Sequence, residues 1–127
     1  MKTRSLWESF RCAWHGVISV LSSERNMRIH FVAAALALAA AAFLGVSTAE
    51  LGCLALAIAL VITCELMNTA LEIICDIACP GWEVRVKTVK DIAAGTVLVG
   101  AVWAAVVGAA ILGPKVVAAA RFMFRAL

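Results

Sequence analysis

The chain has 127 residues, 65% of them hydrophobic and 15% charged, with a net charge of +3 and a mean hydropathy of +1.02. An ordinary globular domain is about 45–50% apolar, so this composition excludes a water-soluble fold and points to a membrane protein. The length allows one domain, and the small positive charge suits anionic lipid headgroups, with nothing to suggest nucleic acid.

Residues 1–23 come first. Leu6, Trp7, Phe10, Ala13, Trp14, Val17 and Leu21 recur at spacings of three and four, with Arg4, Glu8, Arg11, His15 and Ser22 largely on the other side. That pattern predicts an amphipathic helix lying in the membrane interface, its tryptophans at headgroup depth. Residues 29–46 are nearly pure Ala, Leu, Val and Phe, interrupted by His30 and Gly45. Residues 51–77 form a longer run that is polar only in its second half. Residues 89–112 follow a break at Pro80-Gly81 and end at Gly113-Pro114, leaving 114–127 as a C-terminal tail. Each run reaches or exceeds the roughly 17–25 residues that span a bilayer as a helix. The expected fold is therefore an all-α integral membrane protein, an amphipathic surface helix followed by three transmembrane helices. "FLGVSTAE" could pass for a leader cleavage site, but the long amphipathic stretch before the apolar core does not suit a short basic leader, and cleavage is not expected.

Basic residues set the expected orientation. Lys2, Arg4, Arg11, Arg25 and Arg28 precede the first span and Arg85, Lys87 and Lys90 occupy the second connection, whereas the first connection has none. The positive-inside bias places the N-terminus and the second connection in the cytoplasm. Lys115, Arg121 and Arg125 then fall on the far side, against the rule but outnumbered.

The second span contains "ELMNTALEIICD", residues 65–76. At 3.6 residues per turn, Glu65, Asn68, Glu72 and Asp76 fall within an arc of roughly 80°, spread along about 16 Å of axis. They make one polar stripe in the cytoplasmic half of the helix. Lys90-Asp91 open the third span and Glu24, Asn26 and Arg28 lead into the first, so three polar clusters from three helices are expected to meet at one membrane surface. A charged group costs roughly 2.5–3.5 kcal/mol at mid-helix, and less toward the interface. The stripe must face protein or a water-filled cleft.

A structural role accounts for part of it: Asn68 and Thr69 can bond neighbouring helices, and Asp76 can be simply interfacial. For Glu65 and Glu72 that reading is weaker, because serine would serve at lower cost. Glu24 and Glu72 are hard oxygen ligands of the kind that hold Mg²⁺ while nucleotide phosphates complete its shell. Lys90 could balance phosphate charge. Glu65, the deepest acid, suits a general base taking a proton from an alcohol. Together these are the parts of a phosphoryl-transfer site.

The pattern "ExxNTAxExxxD" in residues 65–76, followed by "KDIAAG" and preceded by "AWHG" and "SERNMRIH", resembles the small prokaryotic integral-membrane lipid kinases, the diacylglycerol kinase and undecaprenol kinase family. The resemblance covers roughly residues 9–112. It implies that Glu65 is the catalytic base and that Asn68 lies near the phosphates and the acceptor hydroxyl. It further implies that Glu72 shares Mg²⁺ with Glu24, that Lys90 and Asp91 help hold ATP, and that Asp76 supports the site. It also implies a homotrimeric helical bundle in the bacterial inner (cell) membrane, with ATP entering from the cytoplasm and the lipid hydroxyl from the bilayer. No Walker-type glycine loop is expected, and none is present. "KDIAAG", where diacylglycerol-preferring members tend to carry "KDMGSA", and "ERNMRIH" look more like the members that phosphorylate undecaprenol. Undecaprenol is the expected acceptor and diacylglycerol the alternative.

An oligomer is also expected from the residues alone. Three thin helices cannot shield a polar face, and Gly100, Ala104 and Gly108, like Ala33, Ala37 and Ala41, carry the spacing of small residues that lets helices approach closely. The five cysteines are odd in number and lie mostly within spans, so no disulfide framework is implied; Cys75 and Cys79 read as packing residues rather than half a metal site. His30 reads as interfacial, within reach of the nucleotide. A small oligomeric channel or proton-coupled transport subunit is the rival class. It would need polar residues along the full depth of a helix, and Leu51 to Cys64 offers only Thr63 and cysteines.

Overall fold

The computed structural model describes residues 5–125; Lys2 and Arg4, which count toward the orientation, lie outside them. Four helices follow one another: α1 (Leu6–Ser23), α2 (Arg25–Leu44), α3 (Thr48–Ala78) and α4 (Val84–Arg125). The last three are long and apolar enough to cross a membrane. The chain is a multi-pass membrane protein.

Each boundary has a local cause. Ser5 and Glu8 form a capping box at the start of α1, with the Glu8 N–H donating to Ser5 Oγ at 3.2 Å and the Ser5 N–H to Glu8 Oε2 at 2.9 Å. Glu24 alone separates α1 from α2, its backbone extended, and the Arg28 guanidinium ties the corner by donating to the Ser22 carbonyl at 3.2 Å. Met27 is fully buried beneath the corner. Gly45 ends α2 at φ 62°, a left-handed conformation that costs glycine nothing. Ser47 and Glu50 repeat the capping box at the head of α3. Pro80 disfavours helical backbone at Cys79, which sits at φ −143° and closes α3.

The main departure from expectation is at Gly113-Pro114, where α4 does not end: it runs through Pro114 to Arg125, so most of the expected tail is helix. Proline removes one backbone bond and crowds the preceding turn, a cost of about 3 kcal/mol in an exposed helix interior, but in membrane helices such interruptions are tolerated. The sequence beyond is rich in Ala, with Arg and Met, all good helix formers. Lys115, next to the proline, also pairs with Glu50 at 3.2 Å and so fastens α4 to α3 at that level.

At 1.5 Å per residue α2 is about 30 Å long, α3 about 46 Å and α4 about 63 Å, against a hydrocarbon layer of about 30 Å. Helix α3 is the hub, touching the other three and packing most extensively on α4. Its buried residues, Leu54, Ala57, Val61, Glu65, Asn68 and Thr69, include one continuous face that is apolar toward Glu50 and polar toward Asp76. Ala93, Val97 and Gly100 of α4 complete the contact. A Cβ on Gly100 would lie 3.6 Å from both Cys64 Sγ and Val61 Cα. The first residue of the expected Gly100-Ala104-Gly108 association stripe is thus engaged within the chain, because close approach of α4 to α3 requires a small residue there. Helix α1 buries none of its own residues, and Leu6, Trp7, Phe10 and Trp14 stand exposed.

Candidate active site

The polar stripe opens onto a cleft of about 290 Å³ between α2, α3 and α4. Glu65, Asn68 and Glu72 contribute from α3, Asn26 and His30 from α2, and Val97 and Ala101 are among the residues of the α4 wall. Regular helices bring these groups together: Asn26 and His30 are four apart on one face of α2, and Lys90, Ala94, Val97 and Ala101 follow one face of α4 at spacings of four, three and four.

Glu65 is 1% exposed, the only charged side chain so deeply buried among the described residues. Its Oε2 and the Oδ1 of Asn68 are enclosed without a hydrogen-bond partner. Such unpartnered acceptors are uncommon in folded proteins, costing about 1–3 kcal/mol each, and here both belong to residues of the same cleft. The Asn68 amide is oriented by donating from Nδ2 to Glu72 Oε1 at 3.2 Å. Thr69 points its hydroxyl back to the Glu65 carbonyl at 3.1 Å, which satisfies a buried group without entering the cleft. Glu24, Glu72 and His30 all lie within electrostatic reach of Glu65.

One helical turn beyond the lining residues Ala94 and Glu72, Lys90 Nζ donates to Asp76 Oδ1 at 2.5 Å, joining α4 to α3, and the same ammonium lies within electrostatic reach of Glu72. Lys87 holds Asp91 at 2.7 Å on an exposed face, so Asp91 is turned to a partner along its own helix and away from the cleft lining. Glu24 accepts from Ser23 Oγ at 3.0 Å at the α1–α2 corner. The structure thus gathers Glu65, Asn68 and Glu72 in the cleft and pairs Lys90 with Asp76 one helical turn beyond it. Glu24 sits at the adjoining corner. The Lys90–Asp76 pairing had no local sequence signal, since it depends on how the Pro80-Gly81 break folds α4 back on α3. Asn26, expected in the polar cluster that leads into the first span, and His30, expected close by, both line the cleft.

Carboxylate and carboxamide oxygens suit a hard divalent cation. Among the described residues no three His, Cys, Asp or Glu side chains converge as a metal cage. The donor set is partial, which fits a cation that takes its remaining ligands from phosphate and water.

Three membrane-length helices enclosing a buried acid, a carboxamide and a second carboxylate define a multi-pass membrane protein with an embedded polar site. The sequence pattern of the family described as prokaryotic diacylglycerol kinase matches residues 11–112, and the chain belongs to that family of lipid kinases, transferases that phosphorylate an alcohol. It is 39% identical to a diacylglycerol kinase of Synechocystis sp. over 111 residues, 87% of this chain and 63% of the relative, so it spans less than two thirds of that protein's length. It is 33% identical to an undecaprenol kinase of Bacillus subtilis over 109 residues, 86% of this chain and 89% of the relative.

Proposed function

We propose that the chain transfers the γ-phosphoryl group of ATP to the hydroxyl of a membrane lipid alcohol, with Glu65 as general base. The observation that carries this reading is the fully buried Glu65 with an unpartnered oxygen facing a cleft shared with Asn68 and Glu72. The alcohol oxygen attacks phosphorus as the bond to the bridging oxygen of ADP breaks, and its proton passes to Glu65. Asn68, held through Nδ2 by Glu72, keeps its amide plane fixed beside the base. Lys90 binds the nucleotide phosphates, Asp91 helps hold the nucleotide, and Asp76 orients Lys90 through their ion pair. Glu24 and Glu72 would hold Mg²⁺, which when bound neutralises charge across the phosphates.

In the same reading α1 lies on the membrane, its exposed Trp7, Phe10 and Trp14 in the headgroup layer. The site faces the cytoplasm of a bacterial inner membrane, and three copies assemble as a trimer. We assign undecaprenol as the acceptor, supported by "KDIAAG" and "ERNMRIH" and by the likeness to the Bacillus undecaprenol kinase. Diacylglycerol is the second reading, favoured by the likeness to the Synechocystis diacylglycerol kinase. Phosphate transfer from Mg·ATP by the purified protein, with the two lipids in competition, decides between them: undecaprenyl phosphate as the main product is expected, and phosphatidic acid as the main product overturns the assignment.

A further inference from the structure

The polar cleft does not end at Glu65. A second, larger groove of about 460 Å³ continues from it toward the Glu50 end, and the two share Ile29, His30 and Ala101. The groove is walled by small residues of all three spanning helices, among them Ala33 and Ala37 of α2, Ala57 of α3, and Ala104 and Gly108 of α4. The passage is therefore polar at one end and apolar at the other. Its boundary is marked by His30, the only polar side chain lining the apolar part. His30 is half-buried, and no side-chain hydrogen bond to it is found among the described residues. Its ring presents one donor and one acceptor in the neutral form. Across the passage stands Glu65, with Oε2 unpartnered.

We infer that His30 receives the hydroxyl end of the acceptor lipid, and that the alanine-lined groove takes the adjoining stretch of its hydrocarbon chain. This rests on the lipid-kinase reading above and adds the acceptor's path through the fold. A hydroxyl lodged between the two side chains accepts from the imidazole N–H and donates to Glu65, which aligns its oxygen lone pair away from the base. His30 thereby acts on orientation, while the proton goes to Glu65. The occupant follows from the continuity: one amphiphile with a polar head and a hydrocarbon chain matches a passage of that polarity. A rival apolar groove on the other side of the α3–α4 contact, lined by Leu60, Ile92 and Trp103, shares no residue with the polar cleft and cannot deliver a hydroxyl to it.

The test joins kinetics to labelling. In His30→Leu the KM for undecaprenol rises roughly ten-fold, as for loss of one hydrogen bond, with the KM for ATP unchanged, and His30→Gln, which keeps a donor, recovers most of the loss. Ala104→Phe raises the KM for undecaprenol more than that for the short alcohol geraniol. A polyprenol carrying a diazirine on its chain labels α2 and α4 residues of the alanine-lined groove in the wild-type protein. Equal damage from Leu and Gln, or labelling confined to the Leu60–Trp103 groove, overturns the inference. Labelling in the alanine-lined groove without phosphate transfer would sustain the path and refute the kinase reading; transfer without such labelling would do the reverse.

Discussion

The buried face of α3 is two different surfaces on one helix. Toward Glu50 it presents Leu54, Ala57 and Val61, closed against neighbours down to a few percent exposure. Toward Asp76 it presents Glu65, Asn68 and Glu72, with two acceptors left unpartnered. Both halves are sheltered by the same helices, so the difference is in the side chains and not in the scaffold. Lipid tails give apolar side chains little reason to prefer protein, and close packing of small residues holds the first half together. The second half gives up stability to keep carboxylates in a low-dielectric cleft, a sacrifice that makes sense where those groups must act on a substrate.

Exchanging features between the halves should break the comparison. Glu65→Gln should lower turnover by roughly 10²–10⁴, the usual contribution of a general base, with ATP affinity in an equilibrium binding assay preserved; strong loss of ATP binding would contradict its role. In the packed half, Gly100→Leu should destabilise by about 1–3 kcal/mol from overpacking, because a Cβ there already touches Val61 and Cys64. Gly100→Ala should be tolerated, since those contacts are of ordinary length. Thermal unfolding in detergent distinguishes the two, and an unshifted Leu variant would sink the packing claim. Glu72→Gln or Glu24→Gln should raise the Mg·ATP concentration needed for half-maximal rate several-fold, and an unchanged metal dependence in both removes them as ligands. The smallest effect is expected from Lys90→Gln, which should raise the KM for ATP while leaving the unfolding temperature within error, because its partner Asp76 is largely exposed. A marked loss of stability would make the pair structural instead.

Much of this was legible in the sequence because membrane helices obey strong local rules. Apolar runs of spanning length gave the three crossings, and helical periodicity alone put Glu65, Asn68, Glu72 and Asp76 on one face. Pro114 was misleading because the rule that proline ends a helix weighs a local backbone cost, whereas the Lys115–Glu50 pair and the helix-favouring residues beyond it act through tertiary context. Gly100 was misleading for a related reason: small-residue spacing announces close helix approach without saying which helix approaches. The pairing of Lys90 with Asp76 and the place of His30 between two cavities arise only when three helices are set side by side, and no window of sequence contains them.

The central claim is that the polar half of α3 trades stability for phosphoryl transfer, and one variant tests it most directly. Glu65→Met keeps the length of the side chain while removing its charge and its unpartnered oxygen. Thermal unfolding and phosphate transfer from Mg·ATP to undecaprenol, measured on the same detergent preparation beside the wild-type protein, should show a higher unfolding temperature and no transfer. A variant that melts lower, or that still phosphorylates the lipid, would contradict the account.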